Sequence, residues 1–207
     1  MNLNMFEIEQ KLVAFLKAET AAIGFHRVVV GLSGGVDSAV TAVLCKKAFG
    51  ADMSVVMIPS DTTNPIHMSH ALMLCEKFDI EAEHVSIKNM LHSYPLELST
   101  KLRKGNLAAR LRMAVLYDVS ARDRAIVVGT SNKSEIILGY GTLFGDTACG
   151  INPIGSLYKT QIFALAKHLG VIDEIINKAP SADLWEGQSD EDELGYKYKD
   201  LDAAMFD

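Results

Sequence analysis

Basic residues are scarce in this chain: 20 Lys and Arg face 26 Asp and Glu, a formal net charge of −6 over 207 residues. Binding a phosphate backbone takes a surplus of cations, so nucleic acid is not expected as a partner and a small molecule is. Cysteine is sparse as well. Cys45, Cys75 and Cys149 are odd in number, far apart and outside any CxxC pair, which suggests neither a disulfide framework nor a zinc site and points to small core residues in a reducing compartment. No apolar run approaches the about eighteen residues of a membrane span, and the opening MNLNMFEIEQ carries glutamates where a secretory signal has a basic flank. No membrane partner is expected, and the chain reads as cytoplasmic. His26, His67, His70, His84, His92 and His168 show no metal-ligand spacing and read as core or surface residues. Repeats and low-complexity linkers are missing too, so 1–207 reads as a single domain with enough apolar residues for a full core.

What the chain does have is alternation. Short runs, RVVVGL at 27–32, MSVVMI at 53–58, AEHVSI at 82–87 and AIVVGT at 125–130, each read as a strand buried on both faces. Helical patterns cover 5–22, 37–49, 65–79 and 105–122, with Asn64 and Pro65 as N-cap and first-turn signal of the third. The fold class is therefore α/β, a doubly wound open parallel sheet with helices on both faces. Helical periodicity returns from SLYKTQIFALAKHLG onward, and the stretch from Asp183 is acidic enough to be a solvated face or a lid.

The stretch VVVGLSGGVDSAV at 28–40 carries the chemistry. A strand runs through SGG into a helix beginning near Val36 or Asp37. Gly31, Leu32, Ser33, Gly34, Gly35, Val36, Asp37 and Ser38 thus form a turn whose small side chains let backbone N–H groups approach a phosphate. The turn lacks the Lys of GxxxxGK[ST] and the spacing of GxGxxG, which excludes a Walker A loop and leaves a Rossmann dinucleotide site unsupported; GYGTLFG fails that spacing too. Asp37 is repelled by a phosphate unless it caps the helix or holds a divalent cation that also binds the phosphates. The second option calls for another carboxylate. Glu135, in TSNKSE just past the carboxyl end of the fourth strand, supplies it: with strand order 3-2-1-4 the first and fourth strands are neighbours, and Asp37 and Glu135 can share one Mg²⁺.

With SGGVDS, NLAARLRM, GTSNKSE, GYGTLFGD, LYKTQ and PSADLWEGQSDEDELGY in that order, the chain resembles the ammonia-dependent NAD synthetases, members of the N-type ATP pyrophosphatases, over nearly its whole length. The loop alone is shared with GMP synthetase, asparagine synthetase, argininosuccinate synthetase and tRNA-thiolating enzymes; the ordered set is far more specific. The resemblance implies an adenine-nucleotide α-hydrolase-like fold and an AMP-forming ligase that amidates deamido-NAD with ammonia to give NAD. ATP would be co-substrate, Mg²⁺ the cofactor, and an acyl adenylate the intermediate. It further implies that Ser33, Gly34, Gly35 and Ser38 hold the leaving pyrophosphate, that Thr130, Lys159 and Ser181 contact ATP, and that Asn106 and Arg110 bind deamido-NAD. It also implies a homodimer whose dinucleotide site lies at the subunit interface, formed partly by the helix containing Arg110. Relatives using glutamine carry an amidase domain for which no residues remain here.

Around these positions the residues leave several alternatives. Lys101, Arg103 and Lys104 read as a solvated basic face, while Arg112 points away from the face shared by Asn106 and Arg110. Asp146, in FGDTACG, is either a buried carboxylate that binds ammonium and helps it lose a proton, or a loop Asp bonding its own backbone. Trp185 covers a substrate ring or anchors the tail. The pattern departs from that of many relatives at Leu143 and Gly150, which replace a lysine and an aspartate that contact deamido-NAD, and within VVMIPSD, where an arginine is replaced. The chain ends at Asp207, before the basic segment such relatives carry. A tRNA-modifying ATP pyrophosphatase is the rival enzyme, against which the acidic balance and isolated cysteines count. The rival of another class is a non-catalytic adenine-nucleotide module, which would need no metal pair.

Overall fold

Three consecutive valines, Val28 to Val30, have no exposed surface, and the molecule is layered around them. The computed structural model describes residues 4–181, 185 and 187–205; Asp183, where the acidic stretch begins, and Asp207 lie outside them. In chain order the elements are α1 (Met5–Ala22), β1 (Arg27–Gly31), α2 (Val36–Phe49), β2 (Met53–Met57), α3 (Pro65–Phe78), β3 (Ala82–His84), α4 (Lys88–His92), α5 (Lys101–Asp123), β4 (Ala125–Val128), α6 (Lys133–Leu138), α7 (Lys159–Leu169), α8 (Asp173–Ile176), α9 (Asp190–Leu194) and α10 (Tyr198–Met205). Among the described residues the strands form one parallel sheet in the order β3-β2-β1-β4, with Val30 beside Val55 on one side and Val128 on the other.

The two-residue period of the strands divides the core. Val28, Val30, Val55, Met57 and Val128 pack with α1, α2, α3, α7 and α8, whereas Val29, Val56, Val127 and Ala125 pack with α4 and α5. Burial on both faces is what makes the central strands read as continuous apolar runs. The chain moves from β1 to β2 and β3 in one direction and then crosses to β4 on the far side of β1. The strand order therefore reverses between β1 and β4, where a crevice opens outside their carboxyl ends.

Three boundaries differ from the sequence reading by more than one residue. AEHVSI is strand only at Ala82–His84, and Glu83 and His84 are exposed, because an edge strand has a neighbour on one side and little to cover its faces. AIVVGT stops at Val128, where Gly129 N–H leaves the ladder to donate to Ile151 O at 2.7 Å. Helix α5 begins four residues earlier than the periodicity shows, at Lys101, because Thr100 caps it: Thr100 Oγ1 accepts from Arg103 N at 3.2 Å. The Asn64–Pro65 signal is borne out, with Asn64 Oδ1 accepting from Ile66 N at 3.0 Å. Cys45 and Cys75 are buried and Cys149 half-buried, all three free. No helix among the described residues is long and apolar enough to cross a membrane.

The far end of α5 is pinned to the sheet by charge. Ser54 Oγ on β2 donates to Asp123 Oδ2 at 2.6 Å, and Arg122 links Asp123 to Glu83 on β3. Bonding to Arg122, then to Ser54, holds the Asp123 carboxyl down to about 2. A carboxylate depressed in the folded state stabilises it above the unfolded pKa and loses that effect as pH falls through the folded one. Asp123→Asn is therefore expected to lower the melting temperature at pH 7, and the gap from the parent to close between about pH 4 and pH 2, as followed by circular dichroism.

Candidate active site

The turn after β1 is shaped before any ligand arrives. Gly34 has φ +80°, and a Cβ there would stand 2.1 Å from the His67 carbonyl oxygen of α3, so only glycine lets this loop lie against that helix. Lys178 Nζ donates to Gly34 O at 2.6 Å. Ser38 Oγ accepts from Ser33 N at 3.2 Å and donates to Gly35 O at 3.0 Å, while Ser33 Oγ accepts from Gly35 N at 3.2 Å. Gly35 is the N-cap of α2 and brings no capping side chain, which leaves first-turn N–H groups for an anion.

Asp37, in the first turn of α2, meets the two helices that follow β4. Lys159, the first residue of α7 and only 3% exposed, places Nζ 2.7 Å from Asp37 Oδ2 and 2.9 Å from Glu135 Oε1. Asn132, the N-cap of α6, completes the set. Its Nδ2 donates to Asp37 Oδ1 at 2.9 Å, its backbone N–H to Glu135 Oε2 at 3.2 Å, and its Oδ1 accepts from Glu135 N at 3.0 Å. Each of the four carboxylate oxygens thus has a donor, the condition for burying such charges. Burial pulls the Lys159 ammonium down, but the negative charges of Asp37 and Glu135 outweigh it and hold it well above its ordinary value. Burial, then the charge of Asp37, push the Glu135 carboxyl up to about 7 against the pull of Lys159.

These groups stand on the wall of a cavity of about 600 Å³ at the reversal point of the sheet. Gly31, Leu32, Ser33, Gly35, Asp37, Ser38, Thr130, Glu135, Lys159 and Ser181 line it, with Asn106 and Asp146 farther along. Gly34 and Val36 are not on that wall: the first rests on α3 and the second is buried in the core. Arg110 is also off it, exposed, with Nε donating to Leu143 O at 3.2 Å. Asn106 reaches the same loop, accepting from Thr142 Oγ1 at 2.9 Å.

Arg112 points away from the loop that Asn106 and Arg110 reach, yet still into the cavity. Its Nε donates to Ile58 O at 3.0 Å and its Nη2 to Ser60 Oγ at 3.3 Å, and it lines the cavity beside Ala109, Met113 and Leu116. The cavity wraps far enough around α5 to take in that flank, which a single i, i+4 pair could not show. A guanidinium therefore stands behind the strand end where VVMIPSD has none. Asp146 is exposed instead of buried, and its Oδ1 accepts from Thr142 N at 2.9 Å. Lys101, Arg103 and Lys104 keep to the outside of α5, Arg103 bonding back to Glu97 O at 3.1 Å.

The acidic segment walls the cavity as a lid would. Asp190, 3% exposed, accepts from Tyr140 Oη at 3.1 Å, and Gln188, Asp190 and Glu193 line the space. Trp185 lines this cavity and an adjoining one of about 550 Å³. Leu143 is 69% exposed at the tip of its loop. At Gly150 a Cβ would meet Ile126 Cδ1 at 2.2 Å, so a side chain there would first have to displace that of Ile126.

With this geometry in hand, comparison with known proteins is decisive. The NAD synthase family model matches residues 8–206. The chain belongs to the NAD synthase family. It is 53% identical to the NH(3)-dependent NAD(+) synthetase of Wolinella succinogenes, over 99% of this chain and 80% of that one. It is 50% identical to that of Helicobacter pylori, over 96% and 78%. Among solved structures it matches the NMN synthetase of Francisella tularensis with a TM-score of 0.94 and 40% identity, over 99% of this chain and 87% of that one. It matches the NH3-dependent NAD synthetase of Campylobacter jejuni with a TM-score of 0.82 and 42% identity, over 85% and 78%. The sheet and its crevice are those of the adenine-nucleotide α-hydrolase fold.

Two residues that shape this candidate site escaped the reading of the sequence. Asn132 was visible in principle, since Asn132 and Glu135 have the spacing of a capping box. Tyr140, which holds the lid, has no local signal. The loop itself yields a test: Gly34→Ala should lower unfolding stability by about 2 kcal/mol, from its positive φ and the His67 contact together. It should also weaken ATP binding, as urea unfolding and calorimetric titration would show.

Proposed function

We propose that this NAD synthase joins ammonia to the nicotinate carboxyl of deamido-NAD at the expense of ATP, releasing pyrophosphate and AMP. The observation that carries this reading is the meeting of the Ser33–Ser38 turn with Asp37, Glu135 and Lys159 on one cavity wall. A carboxylate is a poor acylating agent until its oxygen leaves as part of something stable. In the first step that oxygen attacks the α-phosphorus of ATP and the bond to pyrophosphate breaks. Ser33, Gly35 and Ser38, with the start of α2, hold the departing phosphates, and Lys159 brings a fixed positive charge to them. Thr130 and Ser181 bring hydroxyls to the nucleotide. In the second step ammonia attacks the acyl carbon and AMP leaves. Asp146, exposed on the cavity wall with Oδ1 bonded to its own loop at Thr142 N, is the carboxylate that ammonium meets there. Asn106 and Arg110 address deamido-NAD from the edge of the cavity.

Mg²⁺ fits this donor set. Asp37 Oδ2 and Glu135 Oε1 converge on a single point, as the position of Lys159 Nζ demonstrates, and two carboxylate oxygens with phosphate oxygens suit a hard cation. Bound there, Mg²⁺ supplies positive charge for the leaving pyrophosphate. Lys159 and a divalent cation draw on the same two oxygens, so the site should take metal poorly without ATP. Lys159→Met should cost about 3–5 kcal/mol of stability by leaving Asp37 and Glu135 uncompensated. It should also raise affinity for Mn²⁺ alone about tenfold or more, as measured by electron paramagnetic resonance.

We also place a homodimer in this reading. Leu143 and Phe144, 69% and 75% exposed, form an apolar tip against Arg110, and Tyr117 lies two turns along α5 from that arginine. Light scattering should give twice the chain mass, and a monomer that still turns over would contradict it.

A second reading concerns substrate size. The Francisella structure is named for NMN, and Leu143 and Gly150 stand where the resemblance gives many relatives charged contacts to the dinucleotide. Both favour amidation of the mononucleotide acid by the same chemistry. The test of function is to incubate the protein with ATP, Mg²⁺ and ammonium or glutamine, with either acid, and follow the amide and AMP by chromatography. NAD and AMP rising together with ammonium only is the expected result, with kcat/KM higher for deamido-NAD than for the mononucleotide acid. Asp37→Asn or Glu135→Gln should lower kcat by about 100-fold or more.

A further inference from the structure

At the start of α7 Gln161 Oε1 accepts from the N–H of the N-cap Tyr158 at 2.8 Å, and the next residue, the first of the helix, is Lys159. The next two donors are taken up from other helices. Lys159 N–H donates to Ser134 Oγ on α6 at 2.9 Å, and Thr160 N–H donates to Asp202 Oδ2 on α10 at 2.8 Å. Ser134 Oγ in turn donates to Asp202 Oδ1 at 2.5 Å. Asp202 is 2% exposed and Ser134 has no exposed surface. One buried carboxylate thus ties together two helix starts, and the residues next to its partners are Glu135 and Lys159.

We propose that Asp202 is a positioning residue for the Glu135–Lys159 pair, acting through the starts of α6 and α7 without touching either side chain. The arrangement has the three properties such a role requires. Both carboxylate oxygens are committed, so the carboxylate has a single way to sit. Both of its partners are donors, so only a group that accepts twice fits between them. A negative charge at the first turn of α7 also suits the helix dipole, which steadies the turn bearing Lys159. Helix α10 also supplies Tyr198, buried, with its ring 5.1 Å from Lys159 Nζ. α10 therefore braces the start of α7 at the Thr160 N–H and meets Lys159 at its side chain. The role follows the lysine across 42 residues of sequence separation, and neither Glu135 nor Lys159 contacts Asp202 in the hydrogen bonds of the site.

The inference rests on the proposed amidation for its kinetic readout, so a second readout independent of turnover is paired with it. Asp202→Asn keeps size but turns an –NH₂ toward one of two donors. It should lower kcat tenfold or more while KM for deamido-NAD, held by Asn106 and Arg110, stays within twofold, and it should weaken binding of a non-hydrolysable ATP analogue at least fivefold by calorimetry. Tyr158→Phe is the control: it removes another bond between α7 and α10, Tyr158 Oη to Met205 O at 2.7 Å, and leaves the Lys159 and Thr160 N–H groups alone. At a similar loss in melting temperature it should keep kcat within twofold. Ser134→Ala carries the same expectations as Asp202→Asn and replaces it should the latter not fold. Equal kcat losses in Asp202→Asn and Tyr158→Phe, or unchanged kcat and analogue affinity in Asp202→Asn, would overturn the role. An inactive parent protein would overturn the amidation reading instead, and the ratio of analogue affinities would then decide for Asp202.

Discussion

An ammonium ion sealed between two carboxylates organises this molecule. Lys159 Nζ reaches Asp37 and Glu135 only because α2, α6 and α7 all begin at the crevice where the strand order reverses. Three charges buried together carry a desolvation cost of several kcal/mol per ion, and their attraction repays it only if the remaining oxygens are bonded. Asn132 meets that condition on both carboxylates at once, which explains why it is wholly buried at the head of α6. The sheet supplies the rest: β1 and β4 are hydrogen-bonded neighbours, so the helices they lead to cannot drift apart.

From that point the cavity divides its tasks along its length. Charge is concentrated at the turn after β1, where phosphates would leave. The wall formed by α5 is mostly apolar, Ala109, Met113 and Leu116, and suits the flat faces of rings. Between the two stands Arg112, bonded to the end of β2, and across the opening lies α9 with Asp190 held by Tyr140. Acidic groups of α9 beside a site for ATP repel the nucleotide unless positive charge such as that of Lys159 accompanies it, so the acidic wall and the lysine belong to one electrostatic arrangement.

Much of this was legible in the sequence because the signals were local. Valine runs marked the buried strands, Asn64–Pro65 marked a helix start, and the oddity of Asp37 in a phosphate turn called for a second carboxylate that Glu135 supplied. Where the reading fell short, the cause was a contact distant in sequence or a geometry that periodicity does not encode. β3 is short because it is an edge, a fact of assembly and not of composition. Arg112 faces the cavity because the cavity wraps α5, and Asp146 is exposed because its loop stands clear of the core. Gly34 and Val36 serve the turn by packing on α3 and in the core, so a loop motif marks a backbone shape more than a list of contacts. Asp202 had no signature at all: its partners are a serine 68 residues and a backbone N–H 42 residues away.

The central claim is that the Asp37–Lys159–Glu135 centre serves attack by the substrate carboxylate on the α-phosphorus of ATP. Deamido-NAD labelled with ¹⁸O in its nicotinate carboxyl tests this most directly, with AMP and pyrophosphate examined by mass spectrometry after turnover with ammonium. The account predicts one ¹⁸O in AMP and none in pyrophosphate, because the attacking oxygen stays on the α-phosphorus when AMP leaves. Label in pyrophosphate, or in neither product while the amide forms, would contradict it.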